Sequence, residues 1–221
     1  LIQLLLRFYD IQKGQILLDG IDIRELEIHN LRKLFGIVLQ DPFLFTGTLE
    51  SNVRLGTAKI DRAAVESALA EVGLGPYIAA LPEGVAQEVT ERGSTLSVGQ
   101  RQLVSFARAL AHNPAFLILD EATSSVDSAT EMLIREALDR LLQGRTALVI
   151  AHRLSTIQHA NQILVFHKGR LREQGSHQEL LAQRGIYFRL YQLQYKDQEL
   201  APQLGGVGLG AAGLRPLPAN G

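Results

Sequence analysis

The sequence predicts an α/β fold with a largely parallel sheet, a helical subdomain and a small antiparallel β part. Three patterns carry that prediction. Short apolar runs at 35–39, 115–119 and 146–151 alternate with helical stretches and short loops, as the strands of a covered parallel sheet do. Between 61 and 111 the apolar spacing turns helical, interrupted by Gly73, Gly75, Pro76, Pro82 and Gly84, which reads as a helical insertion. Hairpin signals at 14–23 and 162–174 supply the antiparallel part.

In chain order, residues 1–8 already follow an apolar helical pattern with no N-cap, so the chain reads as a fragment that begins inside a helix. Residues 15–18 form a strand, Asp19-Gly20 a tight turn and 21–23 the return. A short helix or turn occupies 24–34. The run 35–39 ends on Gln40, and Asp41-Pro42 breaks it. Helices follow at 61–72 and 98–111, a strand at 115–119, and a helix at 128–142 that the pair Ser128 and Glu131 would cap and Gly144 would stop. The strand 146–151 leads to His152. A hairpin turning at Lys168-Gly169 comes next, then helices near 177–183 and 187–195. Residues 197–221 lose periodicity and are rich in Gly and Pro, the composition of a flexible tail.

The composition narrows the function. With 22 Lys+Arg against 23 Asp+Glu the formal charge is -1, and no basic run appears, so nothing points to nucleic acid as partner. The chain has no cysteine, which excludes a disulfide framework. Its longest uncharged stretch, 200–214, is too short and too weakly apolar to span a bilayer.

Chemistry concentrates in two places. Ser97 is a good N-cap and Gln100, three residues on, completes a capping box, so a helix starting at Val98 would present free N–H groups to an anion. The apolar run 116–119 reads as a buried strand that delivers Asp120 and Glu121 to its carboxyl end, where open parallel sheets place their ligands. Adjacent carboxylates beside an anion site suggest Mg-phosphate chemistry.

Taken in order, these pieces resemble the nucleotide-binding domain of ATP-binding cassette (ABC) transporters. The resemblance spans residues 1 to about 195. It rests on a Q-loop at Gln40, the signature Leu96-Ser97-Val98-Gly99-Gln100, a Walker B strand at 116–120, Glu121, a D-loop at 124–127 and a switch histidine at His152. Gln40-Asp41-Pro42-Phe43, Glu91-Arg92-Gly93 and the stretch from His152 to Ile157 resemble the exporter branch, most of all bacterial multidrug-exporter half-transporters. The family's phosphate loop would precede Leu1 directly, and the dipeptide Gly-Lys occurs nowhere in the sequence. Little ATP affinity is therefore expected of these residues alone.

The resemblance implies a P-loop NTPase-like, RecA-like core in two parts, 1–42 and 113–196, with a helical subdomain at 43–112 and a tail at 197–221. It implies ATP and Mg2+ as ligands and a reaction coupled to efflux of a small molecule, drug or lipid. Asp120 and Gln40 would hold the metal, Glu121 would activate the attacking water, and His152 would contact the γ-phosphate. Ser97, Gly99 and Gln100 would grip the γ-phosphate bound to a second nucleotide-binding domain, and Asp127 would act across that dimer. A transmembrane domain, normally N-terminal in the same chain, would set the domain on the cytoplasmic face of the plasma (inner) membrane, touched by 43–52 and 91–93. Plainer readings stand beside these. Glu121 can be a salt-bridged structural carboxylate, Gln40 a turn residue, and Asp127 an ordinary helix N-terminal acid. The other histidines, His29, His112, His159, His167 and His177, read as structural. The chain as a whole can be a non-catalytic piece offering its signature helix in trans, or a soluble ABC-type ATPase.

Overall fold

The computed structural model describes residues 1–120, 127–151 and 157–193. They fall into two units, Leu1–His152 and Arg153–Gly221.

At the centre of the first unit lies a parallel sheet of three strands, β3 (Phe35–Val38), β6 (Phe116–Asp120) and β7 (Thr146–Ile150), in the order β3-β6-β7. Registers run Val38↔Leu119 and Asp120↔Ile150, so β3, β6 and β7 end side by side. The middle strand is apolar at successive positions because both of its faces are covered. Leu117, Ile118 and Leu119 are all buried.

Helix α6 (Val98–His112) packs against β3 and against α7 (Ser128–Leu142). Its buried residues, from Leu103 to Ala109, join one core with the sheet and with α3 (Leu49–Arg54) and α4 (Arg62–Glu71). Each fully buried Leu in that core contributes roughly 1.5–3 kcal/mol. The helical block also contains α5 (Gly75–Ala79) and a two-residue pairing of β4 (Gly47–Thr48) with β5 (Glu88–Val89), neither foreseen from sequence.

Ahead of the sheet, α1 (Ile2–Leu5) is tied to the residues around α2 (Ile28–Lys33) by arginines. Arg32 donates to the carbonyls of Leu6 and Arg7, and Arg7 donates to those of Ile23 and Leu26. Strands β1 (Leu17–Leu18) and β2 (Ile21–Asp22) form the expected hairpin, with Asp19 and Gly20 both at positive φ.

Two sequence expectations shift. Strand β3 stops at Val38, so Gln40 stands two residues beyond it. Helix α7 is capped by Asp127, whose carboxylate accepts the Thr130 N–H at 3.0 Å, and Ser128 is the first helical residue. Both residue types cap well, and the carboxylate is the one placed outside the helix.

In the second unit β8 (Ile163–His167) and β9 (Arg170–Gly175) pair antiparallel through the Lys168-Gly169 turn. Helix α8 (His177–Gln183) starts with a capping box of Ser176 and Glu179, and residues 186–193 are helical. Ile163, Val165, Leu180 and Tyr187 make its core. The expected tail, 197–221, lies outside the described residues. No helix among the described residues is long and apolar enough to cross a membrane.

Candidate functional site

Asp120 is the last residue of the central strand, half-buried at the carboxyl edge of the sheet. Gln40 is exposed in the loop that leaves the neighbouring strand at that same edge. Adjacent strands lie about 4.8 Å apart, so the sheet register alone sets the spacing of these loops. Beneath Asp120 a cavity of about 20 Å³ is bordered by Val38, Gln102, Phe106, Leu119 and Ile134. Glu121 and His152 lie outside the described residues, while the strands that precede them end at Asp120 and Ile150. Among the described residues no cluster of three or more His, Cys, Asp or Glu side chains could hold a metal. A lone carboxylate at a strand end still fits Mg2+, which binds nucleotides with one or two carboxylates, phosphate oxygens and water.

The start of α6 has the geometry expected from its sequence. Ser97 Oγ accepts the Gln100 N–H at 3.1 Å, and Gln100 Oε1 accepts the Ser97 N–H at 2.8 Å. In this reciprocal box each side-chain oxygen accepts the other residue's backbone N–H, and several donors stay unused. The first N–H groups of a helix have no intrahelical partner, so those of Val98 and Gly99 are left over, together with the Ser97 hydroxyl proton and the Gln100 amide NH2. Ser97 and Val98 are exposed, Gly99 is buried, and the cap therefore opens on one side. Several free donors at a positive dipole end suit a phosphate and disfavour a cation. No hydrogen bond or ion pair among the described residues joins Ser97 or Gln100 to Gln40 or Asp120.

Asp127, placed on the D-loop by sequence, is exposed at the start of α7. Hydrogen bonds from the Thr130 backbone and side chain hold its carboxyl below the ordinary value of 3.8.

A family profile described as ABC transporter matches residues 1–124. The chain belongs to the ABC transporter family. It is 53% identical over 194 residues to the probable multidrug resistance ABC transporter ATP-binding/permease protein YheH of Bacillus subtilis (strain 168), covering 88% of this chain and 29% of that one. To the ATP-dependent lipid A-core flippase of Syntrophus aciditrophicus (strain SB) it is 46% identical over 205 residues, covering 93% and 34%. A solved bacterial Atm1-family ABC exporter with ATP bound superposes with a TM-score of 0.80 at 44% identity, covering 87% of this chain and 34% of that chain. The fold is thus the P-loop NTPase-like fold of an exporter-type nucleotide-binding domain. The chain spans about a third of the length of these relatives.

The two segments that resemble exporter coupling surfaces meet in this ABC domain. Leu44 is fully buried between Phe43 and Phe45, which are 48% and 54% exposed and pack edge to face at 5.0 Å. Against Leu44 sits the Glu91-Arg92-Gly93 turn. Gly93 has φ +66°, and a Cβ there would come within 2.8 Å of Leu44 Cδ1 and 3.1 Å of Arg101 Cδ, so only glycine fits. The β4–β5 pairing ties the first segment to Glu88 and Val89, just ahead of the second.

Sequence reasoning missed two residues here. Asn52, 1% exposed, accepts the Phe45 N–H at 2.8 Å and donates to the carbonyls of Phe45 at 2.8 Å and Thr48 at 3.0 Å. Arg108 on α6 donates to the Asn52 carbonyl at 2.9 Å and the Phe43 carbonyl at 3.3 Å. Burial lowers the pKa of its guanidinium, and no carboxylate among the described residues pairs with it. A charged side chain set in the apolar run from Phe106 to Leu110 was the available signal.

Proposed function

We propose that the chain is the ATP-hydrolysing domain of an ABC exporter, driving transmembrane efflux of a small molecule, drug or lipid through ATP-dependent dimerisation. The observation that carries this reading is the α6 cap, where Ser97 and Gln100 each accept the other's backbone N–H and the free N–H groups of the first turn face out. Relatives named as multidrug and lipid A-core transporters support the substrate class.

In this reading each ATP lies between the phosphate loop of one domain and the α6 cap of a second, identical or related copy. Ser97, Gly99 and Gln100 bind its γ-phosphate, and Asp127 acts across the dimer. Bound Mg2+ would supply charge neutralisation at the phosphates, and Asp120 with Gln40 would hold it. Glu121 orients and deprotonates the attacking water, and His152 donates a hydrogen bond toward the γ-phosphate. Closure requires ATP, and hydrolysis releases it, so the binding energy becomes motion. Phe43 to Asn52 and Glu91 to Gly93 pass that motion to a transmembrane domain, N-terminal in the full-length protein, on the cytoplasmic face of the membrane.

The test is Glu121→Gln in the full-length protein. Mg-ATP hydrolysis should disappear while ATP still binds and holds the dimer closed, read by turnover and by nucleotide trapping. Unimpaired hydrolysis would remove Glu121 from its role.

A further inference from the structure

We propose that Arg108 is a positioning residue of this ATPase, a strut that fixes the exposed Phe43–Phe45 pair to the helix carrying the phosphate-binding cap. The inference rests on the proposed function and names the residues through which that site would act on its partner.

The geometry is that of a fork with a second link. From α6, Arg108 reaches the Phe43 carbonyl with one nitrogen and the Asn52 carbonyl with another, at 3.3 and 2.9 Å. A third nitrogen lies 3.4 Å from Asn52 Oδ1. Asn52 then clamps the far side of the loop, bonding both the N–H and the carbonyl of Phe45. Backbone on both sides of buried Leu44 is thus held by one pair of side chains. His112 Nε2, one turn further along α6, meets the Val53 carbonyl at 3.2 Å and repeats the link from α6 to α3.

Arginine suits this duty and lysine does not. A planar guanidinium can serve several carbonyls in fixed directions, whereas an ammonium is a single point charge. Burying a cation without a carboxylate is costly, so the contacts that remain must be specific ones. A residue needed only to fill the space between α6 and α3 would be apolar there, as Phe106, Ala107 and Ala109 are. Phe106, Ala107 and Ala109 already supply core packing, and among the hydrogen bonds of the described residues those from α6 to the Phe43–Phe45 loop are made by Arg108.

The experiment uses the full-length protein in nanodiscs, with Thr46→Cys carrying an environment-sensitive fluorophore. Thr46 is exposed between Phe45 and Gly47, and the 221 residues contain no native cysteine. Mg-ATP is added, and the fluorescence response and the ATPase rate are read together, with a melting curve to confirm folding. In Arg108→Met the ATP-induced response should fall about threefold or more while turnover changes by less than about twofold. Arg108→Lys should give an intermediate response, and Asn52→Ala should reproduce the loss from the other end of the strut. A wild-type response in folded Arg108→Met overturns the inference. So does an equal loss of response and turnover, or failure of both Arg108→Met and Asn52→Ala to fold, since the contacts would then only hold the domain together. Wild-type protein that neither hydrolyses ATP nor responds to it would sink the proposed function itself and this inference with it.

Discussion

Replacing Ser97 separates the two duties assigned to the start of α6, holding the helix and holding a phosphate. Ser97→Ala deletes the acceptor of the Gln100 N–H, now 3.1 Å away. Loss of an N-cap of this kind costs about 1 kcal/mol. Ser97→Asp keeps an acceptor in place, because aspartate caps as well as serine, and its charge is favourable at a helix N-terminus by roughly 0.3–1 kcal/mol. The stability order is therefore Asp at or above Ser, with Ala lowest. For the phosphate the order inverts. A carboxylate set among the donors of Val98, Gly99 and Gln100 would stand about 4 Å from a γ-phosphate oxygen, a repulsion of about 4 kcal/mol per unit charge in an environment of effective dielectric near 20. That corresponds to roughly a thousandfold in affinity. Ser97→Ala loses only one hydroxyl hydrogen bond, about 1 kcal/mol or several-fold. Urea titration and Mg-ATP turnover of the full-length variants give both orders. If Ser97→Asp hydrolyses ATP as well as wild type, or better than Ser97→Ala, the cap does not face a phosphate and the reasoning fails.

Further substitutions test the packing and capping of each unit. Gly93→Ala should destabilise by about 2–4 kcal/mol, from left-handed backbone strain and the clash with Leu44 Cδ1, visible as a lowered urea midpoint. Gly185→Ala should cost about 1–3 kcal/mol, because a Cβ there overlaps the Glu173 carboxylate that accepts the Ile186 and Tyr187 N–H groups; the melting temperature reports it. For Asp127 the folded pKa is lowered, so its contribution is present above the unfolded value and is lost as pH falls through the folded one. Asp127→Asn keeps a good N-cap, so stability at neutral pH should hold, while the loss on acidification below about pH 4 becomes shallower. Unfolding curves from pH 7 to acid would show it, and an unchanged acid limb would count against the assignment.

Much of this could be read in the residues, and the reasons are local. The box at Ser97 and Gln100, the Asp19-Gly20 and Lys168-Gly169 turns and the apolar strand before Asp120 each depend on a few consecutive side chains, and each appears in the structure. Helix α2 was ambiguous because its cap is Glu27, whose longer carboxylate accepts the His29 and Asn30 N–H groups although glutamate is not a usual N-cap. Pairing of Gly47 with Val89 joins residues far apart in sequence through two positions only, which leaves no periodicity to detect. The contacts of Arg108 and Asn52 escaped because they are made mainly to backbone groups, which have no signature in sequence.

Those unread contacts decide how the domain can move. Ser97 caps α6 and Arg108 sits eleven residues on, roughly 16 Å along the axis. Between them the helix is buried from Gln102 to Ala107 against α3, α4, α7 and β3, and a close-packed helix shifts as a body rather than bending locally. A ligand that draws in the cap must therefore carry Arg108 with it. The loop from Phe43 to Thr48 then either follows, through the bonds of Arg108 and Asn52, or those bonds break. Breaking them would leave a half-buried guanidinium and a buried amide without partners, at a cost of up to about 1–3 kcal/mol for each orphaned group. Following is the cheaper course, and it moves the exposed Phe43–Phe45 pair.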